Sequence, residues 1–542
     1  MGKKRKKDKN YMTKLLAVLF IVILLVSALS YAVIVNMLND ESSNKKKTKE
    51  KKDNRVSPYT NQAIYLRLNR IRKKGIIEQM YTSGNDIFDV SPQRSGKPEL
   101  KIILDGLRPG LGWDEKPSFS YIAQFDDYEW VGCDTFNSWD SGYMNRLVFR
   151  NVDEEKNTST VKLSIIENVK VKKLFGSSTQ KKEKDSFTVE YNFRTGRWTG
   201  DDYFNDSDGY GHLNGTNYEI WFDLYQTSAD EDLIPFQAEL ELGTDPFVDD
   251  TYLDPDEDGI PTVWEWKWGY DPFTWNDHSS LDPDCDGIQN DEEYYIREWL
   301  ANPFYPEIYI EADYMEQTPK KGLFGKDGWD GWKHEFYEES QQMLIERFNQ
   351  HGYTVHIDDG CMGGGGNILP FVRGGGAYQQ QAGVVAGHYA NDFADDRKGI
   401  FRYTVVAYGG GWCHPQDSNH YYDCMVVPHN KKFFFNQLDV AIQERTKRIG
   451  QAIQVLHELG HSLGIIGITS PGVDNASVRN GHPADYPWFD YVSVMNYDYF
   501  RQRYFDYSDG THGEYDNDDW ADIDLTFFQR PSEYMEGVGA EY

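Results

Sequence analysis

One twelve-residue pattern occurs twice, and it dictates both a tight loop and what that loop encloses. In Asp254-Pro-Asp256-Glu-Asp258-Gly259-Ile260-Pro-Thr-Val-Trp-Glu265, oxygen side chains fall at loop positions 1, 3, 5 and 12, with glycine at 6. Alternate positions point inward, the glycine permits a sharp turn, and the closing glutamate can bind through both oxygens. Carboxylates gathered this densely suit a hard cation with six to eight oxygen ligands. The pattern returns 28 residues later as Asp282, Asp284, Asp286, Gly287, Ile288 and Glu293. Both copies are expected to hold Ca2+ through these carboxylates and the main-chain carbonyls of Ile260 and Ile288. A third copy aligns 26 residues upstream as Ser228, Asp230, Asp232, Leu233, Ile234, Pro235 and Glu239. It has lost the first aspartate and the glycine, so only weak binding is expected there.

The flanks repeat as well, with Gly243-Thr-Asp245-Pro246 after the degenerate copy and Gly269-Tyr-Asp271-Pro272 after the next. A period near 27 makes this an array. The region resembles thrombospondin type 3-like repeats. A cation that binds the folded array and not the unfolded chain stiffens it by mass action.

A second pattern carries chemistry. Ile449, Ala452, Ile453, Val455 and Leu456 recur at helical spacing and lead into His457-Glu458-Leu459-Gly460-His461. Positions i and i+4 stack on one helix face, so both imidazoles can bind one Zn2+, and Glu458 sits beside them as general base. Zinc lowers the pKa of its water toward ~7, and the same carboxylate can pass the proton to the leaving amine. Gly464 lets the helix stop and the chain turn back.

Downstream, Tyr491-Val-Ser493-Val494-Met495-Asn496-Tyr497 looks like the Met-turn of metzincin zinc peptidases. Residues from about 305 to 530 resemble metzincin-like peptidases of archaea and bacteria that place an opening strand, here Glu307 to Tyr314, after calcium-type repeats. The resemblance implies that Met495 packs beneath the metal and that Tyr497 approaches the zinc or the transition-state oxyanion. In metzincins the third ligand usually lies three residues beyond the glycine; that position is Gly467, which cannot ligate. Two candidates remain in the following loop, Asp474 in Pro-Gly-Val-Asp-Asn and His482 in Asn-Gly-His-Pro.

The ends and the balance of charge complete the outline. Residues 15–38 are an uncharged stretch of 24, enough to cross a ~30 Å hydrocarbon layer as a signal-anchor helix. Residues 1–55 carry 14 basic and 5 acidic residues within a net charge of −31, so the remainder is strongly acidic. That disfavours nucleic acid, whose phosphates would be repelled. Sequons at Asn157, Asn205, Asn214 and Asn475, with the calcium-type loops, favour a catalytic body outside the membrane. Five cysteines and no CxxC pair exclude a thiolate metal knuckle.

The expected organisation is a cytoplasmic basic tail (1–14), a transmembrane anchor (15–38), a stalk with a linker helix (39–97), an all-β sandwich-like domain (98–226), calcium-binding repeats (227–304) and a mixed α/β zinc peptidase domain (305–542). Within the stalk, Ile64, Leu66, Leu68, Ile71 and Ile76 suggest a short amphipathic helix at 59–80. The expected partners are a protein or peptide substrate and, through the anchor, the cell membrane. The competing reading is a calcium-stiffened cell-surface binding or adhesion protein with an inactive peptidase-like domain.

Overall fold

The computed structural model describes residues 62–81, 116–132, 134–153, 156–173, 176–204, 209–317, 334–371, 388–389, 392–407, 412–413, 424–428, 440–467, 470–475, 490–501 and 504–527. The expected anchor at 15–38 lies outside them. Among the described residues no helix is long and apolar enough to cross a membrane. This corrects the expectation of a fold class with a transmembrane helix, and with it the single-pass cell-membrane placement. What is observed is a chain of antiparallel and mixed sheets with helices packed on one of them.

The sandwich begins earlier than its sequence texture suggested. Strand β1 (Ala63–Lys73) occupies the segment expected to be helical. It pairs with β4 (Arg146–Asn151) and β9 (Tyr218–Gln226), and β8 (Gly211–Asn214) completes a four-stranded antiparallel sheet. Ile64, Leu66 and Leu68 alternate inward with the period of a strand. The register with β9 then shifts between Leu68 and Arg70, and Ile71 again faces the core. An irregularity of this kind adds one residue to a period-two pattern. The result, apolar residues at 64, 66, 68 and 71, imitates a helix.

A second antiparallel sheet runs in the order β3 (Tyr128–Val131), β2 (Phe119–Phe125), β5 (Thr158–Lys172), β6 (Ser177–Asn192), β7 (Arg197–Gly200). Ile64, Leu66, Ile220 and Phe222 of one sheet share a core with Tyr121, Leu163, Val189 and Trp198 of the other. Aromatic pairs cross it, Phe119 with Tyr218 at 5.1 Å and Trp198 with Phe222 at 5.5 Å.

Three short helices, α2 (Phe236–Leu242), α3 (Thr262–Trp268) and α4 (Asn290–Tyr295), follow β9, one after each acidic loop. Trp264 and Trp268 of α3 pack with Tyr210 and Trp221 of the sandwich, and Lys267 pairs with Asp223 at 2.7 Å. The repeats are therefore seated on the sandwich.

The third sheet holds β10 (Glu307–Met315) between β11 (Thr354–Asp358) and β13 (Phe401–Ala407), all parallel. Parallel β15 (Cys424–Pro428) and antiparallel β14 (Trp412–Cys413) extend it, and β12 (Ile368–Leu369) pairs with the end of β10. Strand β10 is buried on both faces, as a central parallel strand requires. Ile308, Ile310 and Ala312 face the core shared with α5 (Glu338–Asn349) and α6 (Val440–Ser462), while Tyr309 packs with Phe401 and Tyr403 on the opposite side. Ile76, Ile77 and Met80 of α1 (Ile76–Tyr81) belong to the α5/α6 core, so the segment after β1 docks on the α/β unit.

Candidate metal centre

Helix α6 carries the motif because one stripe of it is apolar. Ile449, Ala452, Ile453, Leu456, Leu459 and Leu463 are buried in the core, which turns His457, Glu458 and His461 toward the segments that follow the helix. Gly464, at φ +84°, ends the helix in the left-handed region. The Ile465 N–H donates to the Gly460 carbonyl at 2.9 Å and the Gly464 N–H to that of His461 at 3.2 Å, a Schellman closure that redirects the chain at once.

That turn brings Asp474 back. Its Oδ1 lies 3.2 Å from Nε2 of His457 and its Oδ2 lies 3.4 Å from Nε2 of His461. The three residues form a group whose donor atoms lie within 4.8 Å of one another and could hold a metal ion. Both imidazoles are fixed from behind: Nδ1 of His457 donates to the Val494 carbonyl at 2.9 Å, and Nδ1 of His461 to that of Ile465 at 3.0 Å. A carbonyl only accepts, so each Nδ1 carries a proton, and Nε2 is the ring atom that faces the Asp474 carboxylate and would give its proton up to a cation bound there. Two imidazoles, neutral once a cation displaces their Nε2 protons, and a carboxylate form a donor set that fits a borderline divalent cation such as zinc.

Electrostatics reflect the crowding. Burial would push the Asp474 carboxyl up, but its contacts with His457 and His461 hold it far below the ordinary carboxylate range. Burial would lower His457, yet Asp474 and Glu458 hold it above its ordinary value. Glu458 is raised, by burial first, against the opposing pull of the two histidines. Its Oε1 accepts from Nε2 of Gln454 at 2.6 Å, one helical turn earlier.

Met495 packs against the motif helix. A Cβ at Gly460 would fall on its sulfur. The Asp474 N–H donates to the Met495 carbonyl at 3.0 Å, and Asp474 itself sits at φ +56°. Ser493 holds the turn by accepting from the Met495 N–H at 3.0 Å, and Asn496 donates to the Tyr491 carbonyl at 3.0 Å. The Tyr497 ring stacks on His457 with centroids 5.5 Å apart. His482, the other third-ligand candidate, lies outside the described residues. Gln454 was not singled out from the sequence, although its spacing of four from Glu458 is a readable signal.

The two complete acidic loops have one geometry. Asp254 accepts from the N–H groups of Asp258 and Gly259 at 3.2 and 2.9 Å, and Asp282 from those of Asp286 and Gly287 at 3.2 and 3.0 Å. Gly259 and Gly287 take φ values of +98° and +92°. The Ile260 and Ile288 side chains are buried, and their N–H groups donate to Asp258 and Asp286. Glu265 and Glu293 are buried with no hydrogen bond to either carboxylate oxygen, and both oxygens of Asp256 and Oδ2 of Asp284 are buried without one as well. Burial and the neighbouring carboxylates push Asp284 up to about 7. Such loops could each hold a cation. The last is joined to the third sheet, since the Glu307 N–H donates to Asp286 Oδ2 at 2.8 Å. Sequence reasoning missed His278, which is buried with Nε2 3.3 Å from Asp258 and which groups with Asp258 and Glu265.

No family model matches the chain, and no curated protein does. Among solved structures, human GIVD cytosolic phospholipase A2 aligns at 10% identity over 32% of this chain and 17% of its own, with a TM-score of 0.15. Drosophila C2-DSL-EGF1 aligns at 9% identity over 31% of this chain and 68% of its own, with a TM-score of 0.14. The chain thus spans less than a fifth of the phospholipase it matches, and likenesses this slight define neither fold nor function.

Proposed function

We propose that the chain is a zinc-dependent endopeptidase, with His457, His461 and Asp474 as metal ligands and Glu458 as general base. The observation that carries this reading is the placement of the Asp474 carboxylate across both Nε2 atoms, with each Nδ1 already committed to a carbonyl. It supplies the third ligand that Gly467 cannot, and it weighs against the reading of an inactive domain.

A zinc ion there would act as a Lewis acid toward the scissile carbonyl and make water acidic enough to deprotonate near neutral pH. Glu458, buried and raised, takes the proton and returns it to the leaving amine. Gln454 keeps one oxygen of Glu458 occupied and leaves the other to accept the proton. Tyr497, whose ring stacks on His457, is the residue we assign to the developing oxyanion. In the complete acidic loops, Ca2+ held by Asp254, Asp256, Asp258 and Glu265, and by Asp282, Asp284, Asp286 and Glu293, stiffens the support of the catalytic unit.

The test is a peptide-library cleavage assay with metal analysis. Glu458→Gln is expected to keep its zinc and its fold and to lose about 10²–10⁴-fold in kcat/KM. Asp474→Ala is expected to lose the metal, and His482→Ala to retain it. Undiminished cleavage by Glu458→Gln would remove the reading.

A further inference from the structure

The degenerate copy of the acidic loop departs from its pattern at two positions, yet its backbone follows the complete copies. Leu233, at the glycine position, takes φ +77°, against +98° for Gly259 and +92° for Gly287. Glu231 at φ +72° matches Glu257 and Cys285, both at +62°. The Ile234 N–H donates to Asp232 at 2.9 Å, as those of Ile260 and Ile288 do to Asp258 and Asp286. The Asp250 N–H reaches the other oxygen of Asp232 at 3.3 Å, as that of Asn276 reaches Asp258 at 3.0 Å. A leucine in the left-handed region costs energy that glycine avoids.

Geometry alone does not call for a ligand, but the side chains do. Glu239 is 0% exposed, and neither of its carboxylate oxygens has a partner. Both oxygens of Asp230 are likewise buried and unpartnered, as are Ser228 Oγ and Asp250 Oδ2. Donor atoms of Asp230, Asp232 and Glu239 lie within 4.8 Å of one another. A carboxylate removed from water without a cation or hydrogen-bond donors is strongly unfavourable. Burial, then Asp232 and Asp230, push Glu239 up to about 9.

The geometry points to a third divalent-cation site, built by Asp230, Asp232 and Glu239, that takes a hard, oxygen-seeking ion of the calcium class. Asp250 supplies beside it the negative charge that Ser228 lacks at the first loop position. All identified donors are oxygens, which selects against softer metals. The site stands directly after β9, where the Thr227 N–H donates to the Ala63 carbonyl at 3.1 Å, so an ion here fastens the array to the sandwich.

The test is calcium stoichiometry of the full chain, stripped with chelator and titrated with Ca2+ alone. Three ions per chain are expected for the parent, and one fewer for Glu239→Gln and for Asp230→Asn. Both substitutions remove buried charge, so folding in chelator should be unimpaired, and circular dichroism checks it. Should both variants bind as many ions as the parent while Glu265→Gln and Glu293→Gln each lose one, the third site is overturned and the two complete loops stand. Should none of the four lose an ion, the calcium reading of the whole array fails with it.

Discussion

The Ile76 N–H donates to the Glu346 carboxylate at 2.6 Å, and the N–H groups of Gly75 and Ile77 reach the same group at 3.1 and 3.2 Å. One side chain of α5 thus caps the segment that leaves the first sandwich strand. Each buried donor left without an acceptor costs roughly 1–3 kcal/mol. Glu346→Ala is expected to lose a few kcal/mol in denaturant unfolding, and Glu346→Gln, which keeps an acceptor oxygen, distinctly less. Equal losses would show that the cap does not matter.

Gly460 is the point where the motif helix and the Met-turn touch, because any Cβ there falls on the Met495 sulfur. Overfilling a packed contact costs about 1–3 kcal/mol. Gly460→Ala should lower stability by that amount and, by displacing the turn that holds Asp474, reduce bound metal. A variant with unchanged metal content would separate the turn from the site.

Gln454 donates to Glu458, and this bond favours the ionised carboxylate. Removing it in Gln454→Ala should therefore raise the pKa of the base. The acid limb of the pH profile of kcat/KM is expected to move to higher pH, with metal content constant. A limb that stays or moves to lower pH contradicts the assignment of Glu458 as base.

The acidic loops predict an unusual pH dependence once cations are chelated. Burial, reinforced by neighbouring carboxylates, pushes Glu239 up to about 9, Asp284 up to about 7 and Asp232 up to about 7. Their unfolded values are about 4. The folded chain then binds more protons than the unfolded chain, so this contribution is fully present below about pH 4 and is lost as pH rises through about 7 to 9. Thermal midpoints in chelator should fall from pH 5 to pH 8.5, whereas added Ca2+ should stabilise more strongly at the higher pH. A midpoint in chelator that rises over this interval would refute it.

Much of the site was legible because its residues are locked to short spacings. His457, Glu458 and His461 are fixed by one helix, and the two complete loops by their own twelve positions. Asp474 was readable only as one of two candidates, since its approach depends on the turn at Gly464 and on the hydrogen bond to Met495, which no local pattern encodes. His278 reaches the Asp254–Glu265 loop from the segment between the two complete loops, outside the twelve-residue frame. The first sandwich strand was misread because the shift between Leu68 and Arg70 disguised a two-residue period. The degenerate loop shows the opposite: its sequence changed where its backbone did not.

The bond from Glu307 to Asp286 has a mechanical meaning. The first residue of β10, which runs between β11 and β13 in the third sheet, hangs from a carboxylate of the last acidic loop. Tension passed along the chain from the repeats to the sheet is met by that loop, in parallel with the Glu346 cap that ties the segment after β1 to α5. An ion that rigidifies the loop would raise the force at which the strand's first residue slips, and its withdrawal would lower it.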